Sequence, residues 1–418
     1  MQILVSSEER FRKTADGKVW SSGAGAYSFW TRYLDVFDHV RVLGRVTRVT
    51  DAPASSQRAD GEGVTFEELP YYVGPLEYLR KQFAVRATIR DALLRTDSVV
   101  LRAASPIANN VKRHLAAEQP FGVEVIGDPY EVFAPGSIEH PLRPVLRWMM
   151  TDQLKRQCQR ACAVAYVAGG ILPYRYPPRN SAFTTTYSSI ELRDDAYCRE
   201  PRRFGARPGP MRIVSLGTLE VPYKGFDVLI DAVAACITDG MELQLAIVGN
   251  GRCRASFETR AQRCGIQEYV NFVGHVPAGA AVREILDHAD LFVLASKTEG
   301  LPRAMIEAMA RALPCLGSAV GGIPELLGPG ELVPRGDTVA LASKIREVFA
   351  NPGRMNRLSA ENLARARDYH DSILRSRRRQ FLTHVREATR EWSRGRLHAR
   401  SKQSPREDRK AMPTEGLR

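Results

Sequence analysis

The sequence predicts an α/β protein built from two parallel-sheet units in tandem. Three observations predict it. Short apolar, β-branched runs alternate with stretches of helical period, which is the pattern of strand–helix–strand units. Several of those runs end in turns rich in glycine, where a strand gives way to a helix. The length, 418 residues with 44% apolar content, supplies two ordinary cores.

The elements follow in order. Residues 2–6 read as a strand. Gly23-Ala-Gly25 precedes a helix-like run at 27–34. Residues 40–43 and 64–69 read as strands and 79–94 as a helix. A short strand at 99–101 ends near Arg102, and another at 123–126 ends at Gly127-Asp128-Pro129-Tyr130. Residues 140–165 form a basic, partly apolar helical stretch, with Arg143, Arg147, Lys155, Arg156 and Arg160 beside Leu146, Trp148, Met149 and Met150. Such a stretch reads as a domain helix with a charged outer face, or as one lying on an anionic membrane. A β-branched run at 182–188 closes the first unit, which spans 1–198. Residues 199–210, rich in Arg, Pro and Gly, read as a linker. The second unit runs over 211–366.

The second unit holds the most informative segment. Residues 291–294 read as a buried strand, followed by Ser296-Lys-Thr-Glu-Gly-Leu-Pro-Arg-Ala-Met-Ile-Glu307. Pro302 suits the first turn of a helix, where no amide hydrogen is required. Glu299 therefore sits at the carboxyl end of a strand and Glu307 on the helix after it. Helix-start amides favour a phosphate. Two carboxylates spaced this way accept hydrogen bonds from two sets of hydroxyls. A diphosphate with polyols at both ends, a sugar nucleotide, fits the pattern. Upstream, a strand at 213–215 leads to Gly217-Thr218 and then Lys224-Gly225-Phe226-Asp227 before a helix. A strand at 243–248 ends in Gly249-Asn-Gly251, and one at 270–274 is followed by His275. Gly321-Gly322-Ile-Pro-Glu325 comes last.

These five segments, in this order, resemble the retaining GT-B glycosyltransferases of family 4, the glycosyl transferases group 1. The resemblance covers 205–345 well and the first half loosely. It implies two Rossmann-like domains facing a central cleft, with helices at 367–388 crossing back to the first domain. It further implies a nucleotide-diphosphate-sugar donor held on the second domain by Gly217, Thr218, Lys224, Gly249, Glu299, Gly300, Leu301, Arg303 and Glu307. Lys224 and the amides after Gly300 would neutralise the diphosphate, Glu299 would orient the sugar and Glu307 the ribose. The acceptor, a glycan or a lipid-linked glycan, would face the first domain. Gly23 and Gly25 resemble the family's phosphate loop, with a plain helix-leading loop as the alternative. Asp128 stands where many relatives carry histidine; it reads as a catalytic hydrogen-bond acceptor or as a turn residue. Thr218 replaces a common arginine, and Arg303 is a candidate substitute. His275 reads as structural or as a contact to the base edge. A sugar-nucleotide binder without transferase activity and a membrane-surface scaffold are the competing readings. A nicotinamide enzyme is disfavoured, because Arg254 stands where the third glycine of its fingerprint belongs.

Bulk properties narrow the partners. The formal charge of +13 favours anionic ones, namely the nucleotide, a phosphorylated acceptor or an anionic membrane face. No aromatic–basic module points to nucleic acid. No apolar stretch approaches membrane-spanning length, and the amino terminus does not read as a signal peptide, so a cytoplasmic protein is expected, with the inner membrane face as a further site. Seven scattered cysteines read as thiols. No Asp-x-Asp occurs, so no metal and no cofactor are expected. Residues 389–418 carry nine Lys or Arg against four Asp or Glu and are expected to be a disordered tail.

Overall fold

The computed structural model describes residues 1–53, 56–135, 137, 140–205 and 208–403, from 397 onward as backbone alone. The first domain contains β1 (Gln2–Lys13), β2 (Val19–Ser21), β3 (His39–Arg48), β4 (Gln57–Arg58), β5 (Val64–Pro70), β6 (Ser98–Ala103), β7 (Gly122–Val125), β8 (Ala163–Tyr166) and β9 (Phe183–Thr186). Seven of these pair in parallel in the order β5-β3-β1-β6-β7-β8-β9. Strands β2 and β4 add an antiparallel flap beside the second half of β1. The second domain contains β10 (Met211–Leu216), β11 (Leu243–Val248), β12 (Val270–Gly274), β13 (Leu291–Leu294), β14 (Cys315–Ser318) and β15 (Leu332–Val333), all parallel in the order β12-β11-β10-β13-β14-β15. In each sheet the winding reverses beside the first strand, at β1/β6 and at β10/β13. Crevices open at the carboxyl ends of the strands that flank such a reversal.

Helices cover both faces, which is why β7, β8, β13 and β14 are buried at every residue and why β8 and β13 read as unbroken apolar runs. On one face of the first sheet, Val85, Ile89, Ile107, Val111 and Leu154 pack on Leu4 and Leu101. On the other, Trp30, Tyr33, Phe381, Leu382 and Val385 pack on Ile3, Val5 and Val42. The first of these clusters continues to Leu301, Met305 and Ile323 of the second domain, so the domains share apolar contact at the foot of the cleft.

The chain crosses back where the sequence predicts. Helix Pro352–Ala366 buries Met355 and Leu358 in the second domain. A turn at Arg367–Tyr369 follows, and helix Asp371–Gln403 then lies on the first sheet. Three expectations are corrected. Strand β1 runs to Lys13 through a bulge between Ser6 and Arg10, because the flap gives its second half a partner. The helix expected over 140–165 is Arg143–Arg160, and Ala163–Ala165 belong to β8, a short apolar strand whose alanines suit helix and sheet alike. The tail expected to be disordered from 389 is helical to Gln403, because Phe381, Val385 and Thr389 continue one buried stripe; residues 404–418 lie outside those described. Part of the expected linker at 199–210 is anchored on the second domain, with residues 206 and 207 outside those described. Arg202 donates to the carbonyls of Leu286, Ala289 and Arg311.

Phe381 is fully buried between the returning helix and the first sheet. Phe381→Ala is expected to lower unfolding free energy by about 3–5 kcal/mol, measured by urea titration. A change near zero would mean that the returning helix is not docked.

Candidate active site

The β10/β13 reversal brings the predicted residues of the second domain together. After β10, Gly217 opens a loop that ends in a turn at Pro222–Lys224 and the helix Phe226–Thr238. Gly225 takes the left-handed conformation, φ 69°, and lies so close to β13's exit that a Cβ there would be 1.9 Å from the Ala295 carbonyl oxygen. Only glycine allows that approach. It places Lys224 against the loop after β13, where Nζ donates to Glu299 Oε1 at 2.6 Å. Ser296 Oγ donates to the same oxygen at 2.7 Å. The Lys224 aliphatic stem lies against Gly217, where a Cβ would stand 3.3 Å away. Gly249 fixes the neighbouring loop, since a Cβ there would be 1.8 Å from the Gly217 oxygen. Thr218 is exposed, and its hydroxyl accepts from the Glu220 amide, so it points no cation at this spot.

Pro302 is the N-cap of helix Arg303–Ala310 rather than its first helical residue. The amides expected to face a phosphate stay open: among the described residues, those of Leu301, Arg303 and Ala304 meet no acceptor. Gly321 and Gly322 hold this loop from below, with the Gly322 amide donating to the Gly300 carbonyl at 2.7 Å. Arg303 is exposed. Glu307 is half-buried, and no hydrogen bond or ion pair reaches its carboxylate among the described residues. Burial raises its pKa above the ordinary value, opposed by the positive charges of Arg303 and Arg283. His275 is exposed after β12.

The first domain closes the other side. Gly300 faces the Ile126 carbonyl and Val167, at the ends of β7 and β8. Glu325, from the Gly-Gly-x-x-Glu segment, reaches across to accept from the amides of Gly169 and Gly170 at 2.7 and 2.8 Å. Asp128 lies 4% exposed in the first domain. It caps the helix Pro129–Val132 by accepting from the Tyr130 amide, and it also accepts from Arg175 and, at 2.5 Å, from the Tyr176 hydroxyl. The turn role expected of Asp128 is present, and both of its oxygens are engaged within their own domain. Gly23 and Gly25 lie near the β1/β6 reversal, but what approaches them is Glu9. A Cβ at either would be 2.6 Å from a Glu9 carboxylate oxygen. The Glu9 carboxylate, on the bulged part of β1, thus occupies the space beside both glycines.

Comparisons with known proteins agree with this arrangement. The structure of Anabaena Alr3699/HepE in complex with UDP and glucose superposes with a TM-score of 0.61 at 16% identity, over 95% of this chain and 99% of that one. Protein CapJ of Staphylococcus aureus is 25% identical over 82% of this chain and 85% of its own length. The amylovoran biosynthesis glycosyltransferase AmsK of Erwinia amylovora is 35% identical over 34% of this chain and 38% of its own length. The family described as glycosyl transferases group 1 matches residues 210–351. Residues 210–351 are thus similar to the glycosyl transferases group 1, and the chain has the GT-B fold. The family match falls on the second domain, the one that carries Lys224, Glu299 and Glu307.

Sequence reasoning missed Ser296, which shares the Glu299 oxygen, and the cross-domain role of Glu325. The Gly169-Gly170 pair following an apolar run was the available signal for the second. The raised pKa of Glu307 has a consequence for stability. A carboxyl raised in the folded state adds stability that is present at low pH and lost as pH rises through the folded value. At neutral pH the charged Glu307 therefore weakens the fold. Glu307→Gln is expected to raise Tm at pH 7, with the gain vanishing below the ordinary value of 4.5. Thermal melts across that range check this; a lower Tm at pH 7 would contradict it.

Proposed function

We propose that this protein is a glycosyltransferase that moves a sugar from a nucleotide-diphosphate-sugar to a glycan or lipid-linked acceptor during assembly of a bacterial surface polysaccharide, with retention at the anomeric carbon. The Lys224–Glu299 contact at the β10/β13 reversal carries the proposal. It sets a cation and a carboxylate beside three amides without acceptors, a set suited to a diphosphate joined to a sugar. The names of AmsK and of the HepE complex support the setting and the donor class.

In this reading Lys224 leaves Glu299 for the diphosphate when the donor enters. Glu299, still held by Ser296, turns its accepting capacity to the sugar hydroxyls. Glu307, with no protein donor of its own among the described residues, accepts from the ribose hydroxyls. The nucleoside diphosphate is a good leaving group. Catalysis is then mostly positioning and neutralisation of the charge that develops as the glycosidic bond breaks. Lys224 and the helix-start amides supply that neutralisation, and the acceptor hydroxyl enters on the face the leaving group departs from, forming the new glycosidic bond as its proton passes to the departing phosphate oxygen. Asp128, with both oxygens occupied, shapes the acceptor wall through Tyr130 and Tyr176.

Lys224→Ala is expected to weaken nucleoside-diphosphate binding by about 10- to 100-fold in calorimetry, the loss of one charge-assisted hydrogen bond. Binding by the unaltered chain should also weaken as pH falls through the raised Glu307 pKa, and Glu307→Gln should flatten that dependence. Equal affinities in all three proteins would reject the site.

A further inference from the structure

The loop after β13 is tied to the Lys224 turn at more points than the Lys224–Glu299 contact. The Lys297 amide donates to the Tyr223 carbonyl at 2.7 Å. Lys297 Nζ donates to Asp227 Oδ2 at 2.9 Å, on the first turn of the helix Phe226–Thr238. The Lys297 carbonyl accepts from Arg335 at 3.3 Å, and Arg335 itself stands 4.0 Å from Glu131 of the first domain. Amide, carbonyl and ammonium of this one residue are therefore all engaged. Its bonds to Tyr223 and Asp227 fall on either side of Lys224 in the chain, so they bracket the Lys224–Glu299 contact.

The bracket matters because the central contact is conditional. An anion that draws the Lys224 ammonium away breaks the link between Lys224 and Glu299. Ser296 still holds Glu299 at 2.7 Å, but Ser296 belongs to the same loop and cannot hold that loop against its neighbour. The Lys297–Asp227 pair can, and it uses neither Lys224 nor Glu299. Among the described residues, Lys297 is the one donor to the Asp227 carboxylate: the second oxygen, Oδ1, is enclosed and accepts no hydrogen bond. The two side chains are 24% and 25% exposed. An ion pair so wetted adds little to global stability. Its effect is local, on the spacing of the two loops.

We propose that Lys297 and Asp227 are positioning residues for the transfer site. They form a second tie between the two loops, one that stays closed when Lys224 turns to a diphosphate. It keeps Glu299 and the helix-start amides in register with the Lys224 turn. Arg335 braces the same loop from the side of the first domain. The tie is a property of the chain alone; only its use in transfer rests on the reading of the donor site.

The test is hydrogen exchange of the full chain, read by mass spectrometry on peptides spanning 218–225 and 296–301. Lys224→Met reproduces the broken central contact with no nucleotide added. In that background Lys297→Met, and separately Asp227→Ala, should speed exchange in both peptides about fivefold. Lys297→Arg, which keeps the charge, should leave it unchanged. Exchange elsewhere in the second domain should not move, and melting temperature should stay within about 3 °C. With Lys224 in place, calorimetry against a panel of UDP, GDP, ADP and dTDP should show Lys297→Met weakening the bound nucleotide about fivefold, and Lys297→Arg not doing so. Exchange that ignores Lys297→Met, a loss that Lys297→Arg does not repair, or a rise spread across the whole domain would each overturn the proposal. If the unaltered chain binds nothing in the panel, the donor reading fails, while the exchange measurement still decides the tie.

Discussion

Lys224 and Glu299 are 75 residues apart and meet at 2.6 Å, with their side chains 16% and 8% exposed. Two backbone constraints bring them there. The sheet reverses its winding between β10 and β13, so the loops leaving those strands are neighbours with nothing between them. Gly225 then lets one loop lie directly against the other. Any side chain at that position would push Lys224 away from Glu299. A partly buried ammonium without a carboxylate would be costly, so the pair stabilises the loops that carry it. It also keeps the cation where an incoming anion can take the carboxylate's place.

The cleft is held by contacts of a different kind. Apolar packing runs through its foot, and Glu325 spans it to two backbone amides of the first domain. Arg335, which donates to the Lys297 carbonyl, stands 4.0 Å from Glu131 on the opposite wall. These polar bridges are few and separable, whereas the returning helix buries Phe381, Leu382 and Val385 fully in the first domain. The arrangement couples the domains firmly at the back and lightly at the mouth. The proposed transfer, in which the cleft admits a nucleotide and then an acceptor, fits such a distribution.

The second domain was legible in the sequence because its site is made of short loops next to their strands. Gly217, Lys224, Glu299 and Gly321 each lie within a few residues of a strand end, so strand assignment alone fixes their neighbourhood. The first domain was less legible because its side chains are committed by distant partners. Asp128 is held by Arg175 and Tyr176, 47 and 48 residues away, and no local pattern announces that. Gly23 and Gly25 looked like a ligand loop, but a bulge in β1 fills their space with Glu9. The helix beyond 389 was hidden by composition: arginine-rich sequence reads as a solvated tail, while the spacing of Phe381, Val385 and Thr389 continues a buried stripe.

A crystal structure with a nucleoside diphosphate bound tests the central claim most directly. The account predicts diphosphate oxygens within about 3 Å of Lys224 Nζ and of the Arg303 and Ala304 amides, with the ribose against Glu307. Nucleotide bound elsewhere, with Lys224 still on Glu299 and Glu307 untouched, would contradict it.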